Sequence, residues 1–344
     1  MVELGLPAPP VLWRDAVLST GLAGGRARCG LCPHLCELDP DETGPCAVRR
    51  NSGGRVVTAT FAVTAVHLDT VERKPLYHFR PGTKVLTLAA PGCTFRCNYC
   101  VNHRLSQYGR GSELPWSGRE ADPGALVARA QAEHAALGLS YSEPGLSLEL
   151  TLALAELAAP AGIPLVWKTN GFLTPAAVDA VAPYLAAVTV DIKAADDRSH
   201  ERLTGAPLRP VLDAIERFRA HGTWVEVATP LVPGAADSPA ALERIARYLA
   251  SVDPLLPWHL LRFTPDFRMR RHQPTSPSAL QAAAGIGAAA GLAHVYVERA
   301  LGERARNTAC RGCGTTVIRR DVWTTTSWAP ECPNCRLAVP GRWS

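Results

Sequence analysis

From about residue 83 onward, short apolar runs alternate with amphipathic helical stretches, and this rhythm restricts the chain more than any other feature. "KVLTLAA" reads as a buried strand that runs into a cysteine-bearing loop, and "PGALVARAQAEHAALG" reads as a helix. The strand ends "LSYSEP", "PLVWKTNG", "AVTVDIKA", "WVEVATPLVPG" and "WHLLRFTP" follow, each separated from the next by a helical segment, and "HVYVE" offers one strand more. A repeat of roughly 30 residues per strand–helix unit predicts parallel strands with helices packed outside them. Six such strands without a Gly-rich dinucleotide fingerprint predict an α/β fold, a full or partial TIM-type βα barrel. In such barrels the chemistry gathers at the C-terminal strand ends.

Polar residues fall at those ends. Cys93 follows the first strand, Glu143 the second, Thr169 and Asn170 the third, and Asp191 and Lys193 the fourth. Thr229 lies near the end of the fifth strand, Arg262 and Thr264 near the sixth. A series of this kind along one rim calls for a ligand.

Eleven cysteines divide into three groups with none left over. Clustered spacing and an odd total argue for metal or redox chemistry, not a disulfide framework. The C-terminal group, Cys310, Cys313, Cys332 and Cys335, forms two CxxC knuckles of the zinc-ribbon kind, read chiefly as a structural staple for Zn²⁺. The N-terminal group, Cys29, Cys32, Cys36 and Cys46, fits zinc or an iron–sulfur cluster, with zinc preferred and His34 able to replace one thiol. The central group, Cys93, Cys97 and Cys100, has spacings of three and two residues and lacks a fourth thiol. Three thiolates can hold three irons of a [4Fe–4S] cubane and leave the fourth open to an outside ligand. The alternative is a zinc site completed by His103, which would leave the polar rim unexplained.

Lysine is scarce. Lys74, Lys84, Lys168 and Lys193 are the four in the chain, and arginine supplies the other cations. The net charge of +5 suits an anionic ligand or an acidic protein partner and does not require nucleic acid. The opening "MVELGLPAPPVLWRD" carries an early Glu and several prolines instead of an apolar export core, and no stretch reads as a membrane span, so a soluble cytoplasmic protein is expected.

The CxxxCxxC spacing on the loop after the first barrel strand resembles the radical S-adenosylmethionine (SAM) superfamily. "YSEP" (141–144) is similar to that family's Gly-Gly-Glu-Pro-type strand end, and "TNG" (169–171), "DIK" (191–193) and "VPG" (232–234) look like the pyruvate formate-lyase-activating-enzyme branch. More narrowly, "CGLCPHLC", "GPCAVRRN", "ERKPLYHFRPG", "GCTFRCNYCVNHRLSQ", "TNGF", "VDIKA", "VPGAADS" and "PWHLLRFTPDFRM" occur in order and, with the terminal ribbon, resemble AmmeMemoRadiSam-type enzymes.

The resemblance implies a radical SAM barrel over about 81–300. An N-terminal cysteine-rich unit with a small hairpin at 54–68 would span 1–80, and a ribbon would span 301–344. It implies a [4Fe–4S] cluster on Cys93, Cys97 and Cys100, and SAM beside Tyr141, Glu143, Thr169, Asn170, Asp191, Lys193 and Arg262. Asp191 and Lys193 would sit closest to the chemistry. Reductive cleavage of SAM would give a 5′-deoxyadenosyl radical that abstracts hydrogen from a substrate, with flavodoxin or ferredoxin as electron donor. The alternative target is a protein partner, as for glycyl-radical activases, and a remote alternative is a zinc-binding adaptor without catalysis. The activating enzyme has Asp before its Thr-Asn-Gly, as part of a monovalent-cation site; Lys168 stands there in this chain, and its ammonium could replace the ion. "PLYHF" (75–79) is read as ordinary packing, with Tyr77 and His78 reaching the mouth as the alternative. The arginines of "FRMRRH" (267–272) could hold a carboxylate or phosphate, and His259 is expected at the far end of the barrel.

Overall fold

The computed structural model describes residues 13–110, 118–297, 299 and 301–344. Most of the opening stretch inspected for an export signal, residues 1–12, lies outside the described residues. An eight-stranded sheet forms the centre. β1 (Ala65–Thr70) runs antiparallel to β2 (Lys84–Ala89). Every later pairing is parallel: β3 (Ala136–Leu139), β4 (Leu165–Thr169), β5 (Leu185–Asp191), β6 (Trp224–Pro230), β7 (Trp258–Leu261) and β8 (Val295–Val297). All eight strands follow chain order across the sheet, and β1 and β8 are the two edges. The hydrogen-bonded sheet is therefore open, a partial barrel with "HVYVE" supplying the seventh parallel strand.

The local reasons are plain in the sequence. β3 is buried at all four positions and β6 at all but its first, because helices cover the outer face while the inner face closes on itself. Four of the outer helices begin alike. Asp122, Thr174, Ser238 and Ser276 each accept a hydrogen bond from a first-turn N–H, and each is followed by proline at the first helical position. That pairing satisfies one orphan donor and presets the helical φ.

The stretch 54–68, expected as one hairpin, divides. Arg49–Ser52 pairs with Arg55–Thr58 across Gly53 and Gly54, whose φ values of 60° and 79° suit a two-residue turn. Ala65–Thr70 leaves that unit and becomes β1 of the central sheet. The N-terminal unit lies against the C-terminal strand ends. Buried Arg49 pairs with Glu149 at 2.6 Å, Thr174 Oγ1 donates to the Gly30 carbonyl at 2.7 Å, and His34 Nε2 lies 3.1 Å from the Thr94 carbonyl.

Residues 308–328 form a three-stranded sheet that docks on residues 70–80; Cys310 and Cys313 lie between its first two strands, and Cys332 and Cys335 follow its last. The Arg342 N–H donates to the His78 carbonyl at 2.8 Å, and Thr325 Oγ1 donates to Glu72 at 2.6 Å. Arg320 lies over the Tyr77 ring, 4.2 Å from its centroid.

A buried carboxylate fixes this end. Glu226 on β6 is fully buried and accepts from the N–H groups of Tyr77 (3.0 Å) and His78 (2.7 Å) and from Trp224 Nε1 (3.0 Å). Its Oε2 also lies 2.6 Å from His259 Nε2. Burial works against its charge, but His259 and the N–H donors outweigh that and hold its pKa below the usual glutamate value. Tyr77 and His78 are therefore core residues that join barrel to ribbon and do not reach the mouth, and His259 lies at the far end as expected. Glu226→Ala should lower the unfolding free energy by about 3–5 kcal/mol, because it strands buried donors. Denaturant titration of the variant against the parent protein measures this.

Candidate active site

Each parallel strand points its C-terminal end to the same side, so the loops after β2, β3, β4, β5 and β7 converge there. A cavity of about 480 Å³ opens among them. Cys93, Cys97 and Cys100 line it, as do Tyr141, Glu143, Thr169, Asn170, Asp191, Lys193 and Arg262. Lys168 lines it too. Thr229 does not; it is buried and accepts a hydrogen bond from Trp258 Nε1 at 2.9 Å.

The cysteine loop is shaped by its neighbours. Gly92 has φ 97°, and a Cβ there would come within 2.9 Å of Val48, so the loop presses against the N-terminal unit. Asn170 Nδ2 donates to Thr94 Oγ1 at 2.9 Å and lies 3.6 Å from Cys93 Sγ. Burial pushes the Cys93 thiol up and that of Cys97 up to about 12. Such thiols ionise readily only when a bound cation compensates the charge. His103 turns away from the trio. Its Nδ1 lies 3.2 Å from the Cys100 carbonyl, and its ring stacks on Phe267 at 4.7 Å. Among the described residues it joins no set of ligand atoms within 4.8 Å of one another. Three thiols lining one cavity fit three corners of a cubane.

Glu143 is buried, and burial pushes its pKa up. Its oxygens accept from Thr169 Oγ1 (2.6 Å), the Asn170 N–H (2.8 Å) and the Gly145 N–H (2.8 Å). It thus locks the end of β3 to the end of β4 and has little capacity left for a ligand. Gly171 continues that turn with φ 70°, and a Cβ there would strike Val190 at 2.7 Å.

Asp191 sits between two ammonium groups. Lys168 Nζ is 2.6 Å from one carboxylate oxygen and Lys193 Nζ 2.8 Å from the other. Burial opposes the charge of Asp191, but the lysines prevail and bring its pKa down to about 2. Burial also disfavours the charge of Lys193, which Asp191 nevertheless holds well above the ordinary lysine value. The arrangement presents a net positive pair to the cavity.

Sequence reasoning missed the wall beside β1. Asp69 accepts from Lys74 (2.8 Å), Thr87 (3.0 Å) and the Tyr141 hydroxyl (3.1 Å), and Lys74 lies 4.8 Å from the centre of the Tyr141 ring. Burial lowers the Lys74 pKa to about 8. Tyr141 takes φ 70°, a region that favours glycine and costs other residues about 1–3 kcal/mol. The scarcity of lysine was the available signal: Lys168 and Lys193 pair with Asp191 in the cavity wall, and Lys74 pairs with Asp69 behind Tyr141, whereas Lys84 is exposed. Tyr99, Arg73, Arg299 and Trp323 also line the cavity. The guanidinium groups of Arg73 and Arg299 lie 4.4 and 4.0 Å from the centre of the Trp323 ring. Trp323 lies between two ribbon strands, so nothing in the barrel pattern could have placed it here. The arginines of 267–272 do not line this cavity.

Two further cysteine sites are separate. The Sγ atoms of Cys310, Cys313, Cys332 and Cys335 lie within 4.8 Å of one another, with two pairs at 3.5 Å. Cys29, Cys32, Cys36 and Cys46 line a second cavity of about 270 Å³. None of the eleven cysteines is joined in a disulfide.

Residues 88–248 match the Radical SAM superfamily. The uncharacterized protein MJ0808 of Methanocaldococcus jannaschii is 31% identical over 90% of this chain and 92% of its own length. The same organism's putative glycyl-radical enzyme activating enzyme MJ1632 is 28% identical over 51% of this chain and 66% of its own length. The isethionate sulfite-lyase activating enzyme of Nitratidesulfovibrio vulgaris is 33% identical over 36% of this chain and 42% of its own length. The chain thus spans less than two thirds of these last two relatives. Among solved structures, a radical SAM methyltransferase from Sphaerobacter thermophilus aligns over 63% of this chain and 67% of its own, with TM-score 0.48 and 19% identity.

The chain belongs to the Radical SAM superfamily and is an enzyme with radical chemistry. The family implies a [4Fe–4S] cluster and SAM, and the reading as a non-catalytic adaptor is set aside. Among the described residues no helix is long and apolar enough to cross a membrane.

The Asp191 arrangement makes a pH prediction. Its folded pKa lies below its unfolded value, so its ionised form stabilises the fold above about pH 4, and that contribution is lost as pH falls toward about 2. The parent should exceed Asp191→Asn in unfolding free energy by about 2–3 kcal/mol at neutral pH. The gap should narrow between about pH 4 and pH 2, as urea titrations across pH would read out.

Proposed function

We propose that Cys93, Cys97 and Cys100 hold the [4Fe–4S] cluster and that the adjoining polar wall holds SAM. The observation that carries this is the shared cavity: three thiols line the same space as the paired ammonium groups of Lys168 and Lys193. The bound cluster supplies one electron for cleavage of the sulfonium to a 5′-deoxyadenosyl radical. Lys193 and Lys168, held by Asp191, present positive charge to the cofactor carboxylate. Glu143 and Asn170 are positioning residues, the first holding the β4 turn and the second steadying the cysteine loop. Thr169 places its hydroxyl on Glu143, and Tyr141 shapes the wall toward β1.

The substrate sits at the mouth, beneath Trp323 and beside Arg73, Arg262 and Arg299. That cationic rim suits a substrate with a carboxylate or phosphate. A second reading, hydrogen abstraction from a protein partner, draws on the names of the activating-enzyme relatives. Deuterium transfer from labelled candidate substrates into 5′-deoxyadenosine separates the two. Flavodoxin or ferredoxin is the proposed electron donor, and the mild positive charge of the chain favours docking of an acidic one. Zinc is the proposed occupant of the C-terminal four cysteines. A tetrahedron with metal–sulfur bonds of 2.3 Å has edges of about 3.8 Å, near the 3.5 Å separations observed.

Anaerobically reconstituted protein should release 5′-deoxyadenosine from SAM under dithionite, and Cys97→Ala should release none; a reduced cluster that leaves SAM intact overturns the proposal. Lys168 also stands where a monovalent cation would otherwise neutralise Asp191. Replacing K⁺ by choline should leave the cleavage rate of the parent unchanged, whereas Lys168→Asp should make cleavage depend on added K⁺. Strict cation dependence of the parent enzyme would rule out this role for Lys168.

A further inference from the structure

We propose that Cys29, Cys32, Cys36 and Cys46 hold a second iron–sulfur cluster, not zinc, and that this cluster relays electrons to the site at Cys93. The first half stands on the N-terminal unit alone; the relay rests on the reading of the central trio given above.

Size separates the two metals. One water-sized object needs roughly 10–15 Å³ of cavity space, and the cavity that these four thiols help to line is about 270 Å³. Sulfurs around a single zinc stand about 3.8 Å apart, and the ribbon cysteines come close to that at 3.5 Å. Among the described residues, no three of the N-terminal thiols bring their sulfurs within 4.8 Å of one another. A cubane seats each thiolate on a different iron and so holds them apart.

The walls suit an anion. Four thiolates on a doubly charged cluster core leave a net charge of about −2. Arg49 lines the cavity, is 1% exposed, and has its Nη1 3.9 Å from Cys29 Sγ. Its Nη2 is fixed on Glu149, and its Nε has no hydrogen-bond partner among the described residues. Hydrogen bonds to cluster sulfurs are among the groups that set reduction potential.

Position supplies the role. Thr94 lines this cavity while Cys93 lines the larger one, and adjacent Cα atoms are about 3.8 Å apart. Arg110 binds both loops, donating to the carbonyl of Pro45, beside Cys46, at 2.8 Å and to that of Phe95 at 2.7 Å. The wall between the two cavities is thus one residue thick at this point. A cubane with four protein thiolates has no open corner for SAM, so what remains to it is one-electron chemistry. A low-potential donor of the flavodoxin or ferredoxin class loses one electron and the second cluster gains it, passing from the 2+ to the 1+ state. It returns to 2+ when the electron moves on to the site at Cys93; no proton moves and no covalent bond changes.

The test is metal analysis and electron paramagnetic resonance on anaerobically reconstituted full-length protein. The parent should carry about eight iron and eight sulfide per chain, as two cubanes require, and one zinc. The triple variant Cys93→Ala/Cys97→Ala/Cys100→Ala should stay brown with about four iron, and its reduced cluster signal should not respond to SAM. A colourless triple variant with two zinc per chain overturns the proposal. A brown triple variant beside a Cys32→Ala/Cys36→Ala variant that binds no iron instead refutes the reading of the central trio and leaves the second cluster standing. For the relay, Cys32→Ala/Cys36→Ala should lose flavodoxin-driven SAM cleavage relative to its own dithionite-driven cleavage. An unchanged ratio removes the relay role. Should that variant fail to fold, the triple variant still decides the identity of the cluster.

Discussion

Glu143 is the contact on which the geometry of the site depends. Its buried carboxylate takes one hydroxyl and two backbone N–H donors, and through them it joins the end of β3 to the turn after β4. Asn170, held by that turn, reaches across to Thr94 and the Cys93 sulfur. A run of hydrogen bonds therefore passes from one strand end, through a second, to the loop after a third. Buried polar chains of this kind are costly when broken and rigid when complete. Rigidity matters here because three sulfurs can serve one cofactor only if their loop is held in a single conformation.

The other end of the barrel is governed by a second buried carboxylate. Glu226 satisfies the backbone of Tyr77 and His78, which in turn receive Arg320 and Arg342 from the ribbon. The segment 70–80 is thus shared by barrel and ribbon. Its two ends do different work: Arg73 and Pro75 line the cavity, while Tyr77 and His78 close the opposite side.

Much of this was legible in the sequence, because the relevant signals are local. Strand runs and Pro-led helix starts are written in consecutive residues, and the topology of a parallel sheet then dictates that Cys93, Glu143, Asn170, Asp191 and Lys193 share a rim. Lys168 was singled out because it stands where an aspartate is expected, and the structure puts its ammonium on Asp191. What was hidden depends on distant pairings. Asp69 acquires meaning only when β1 joins the sheet edge beside Tyr141, and the stretch containing β1 read as part of a separate hairpin. Trp323 was invisible for the same reason, being separated from the rest of the wall by the entire ribbon fold. For the N-terminal cysteines, spacing alone left zinc and an iron–sulfur cluster both open, because it does not report how far apart four sulfurs stand once the backbone has folded.

Trp323 also sets an order of assembly. The barrel, with its cysteine loop and acidic and basic wall, is complete in the chain before the residues of the ribbon sheet have been made. At about 5–20 residues per second, the nascent enzyme spends a few seconds with its pocket uncapped and its thiols open to solvent. The last part of the chain thus supplies the cover at the entrance of a cavity whose other walls come earlier in the sequence.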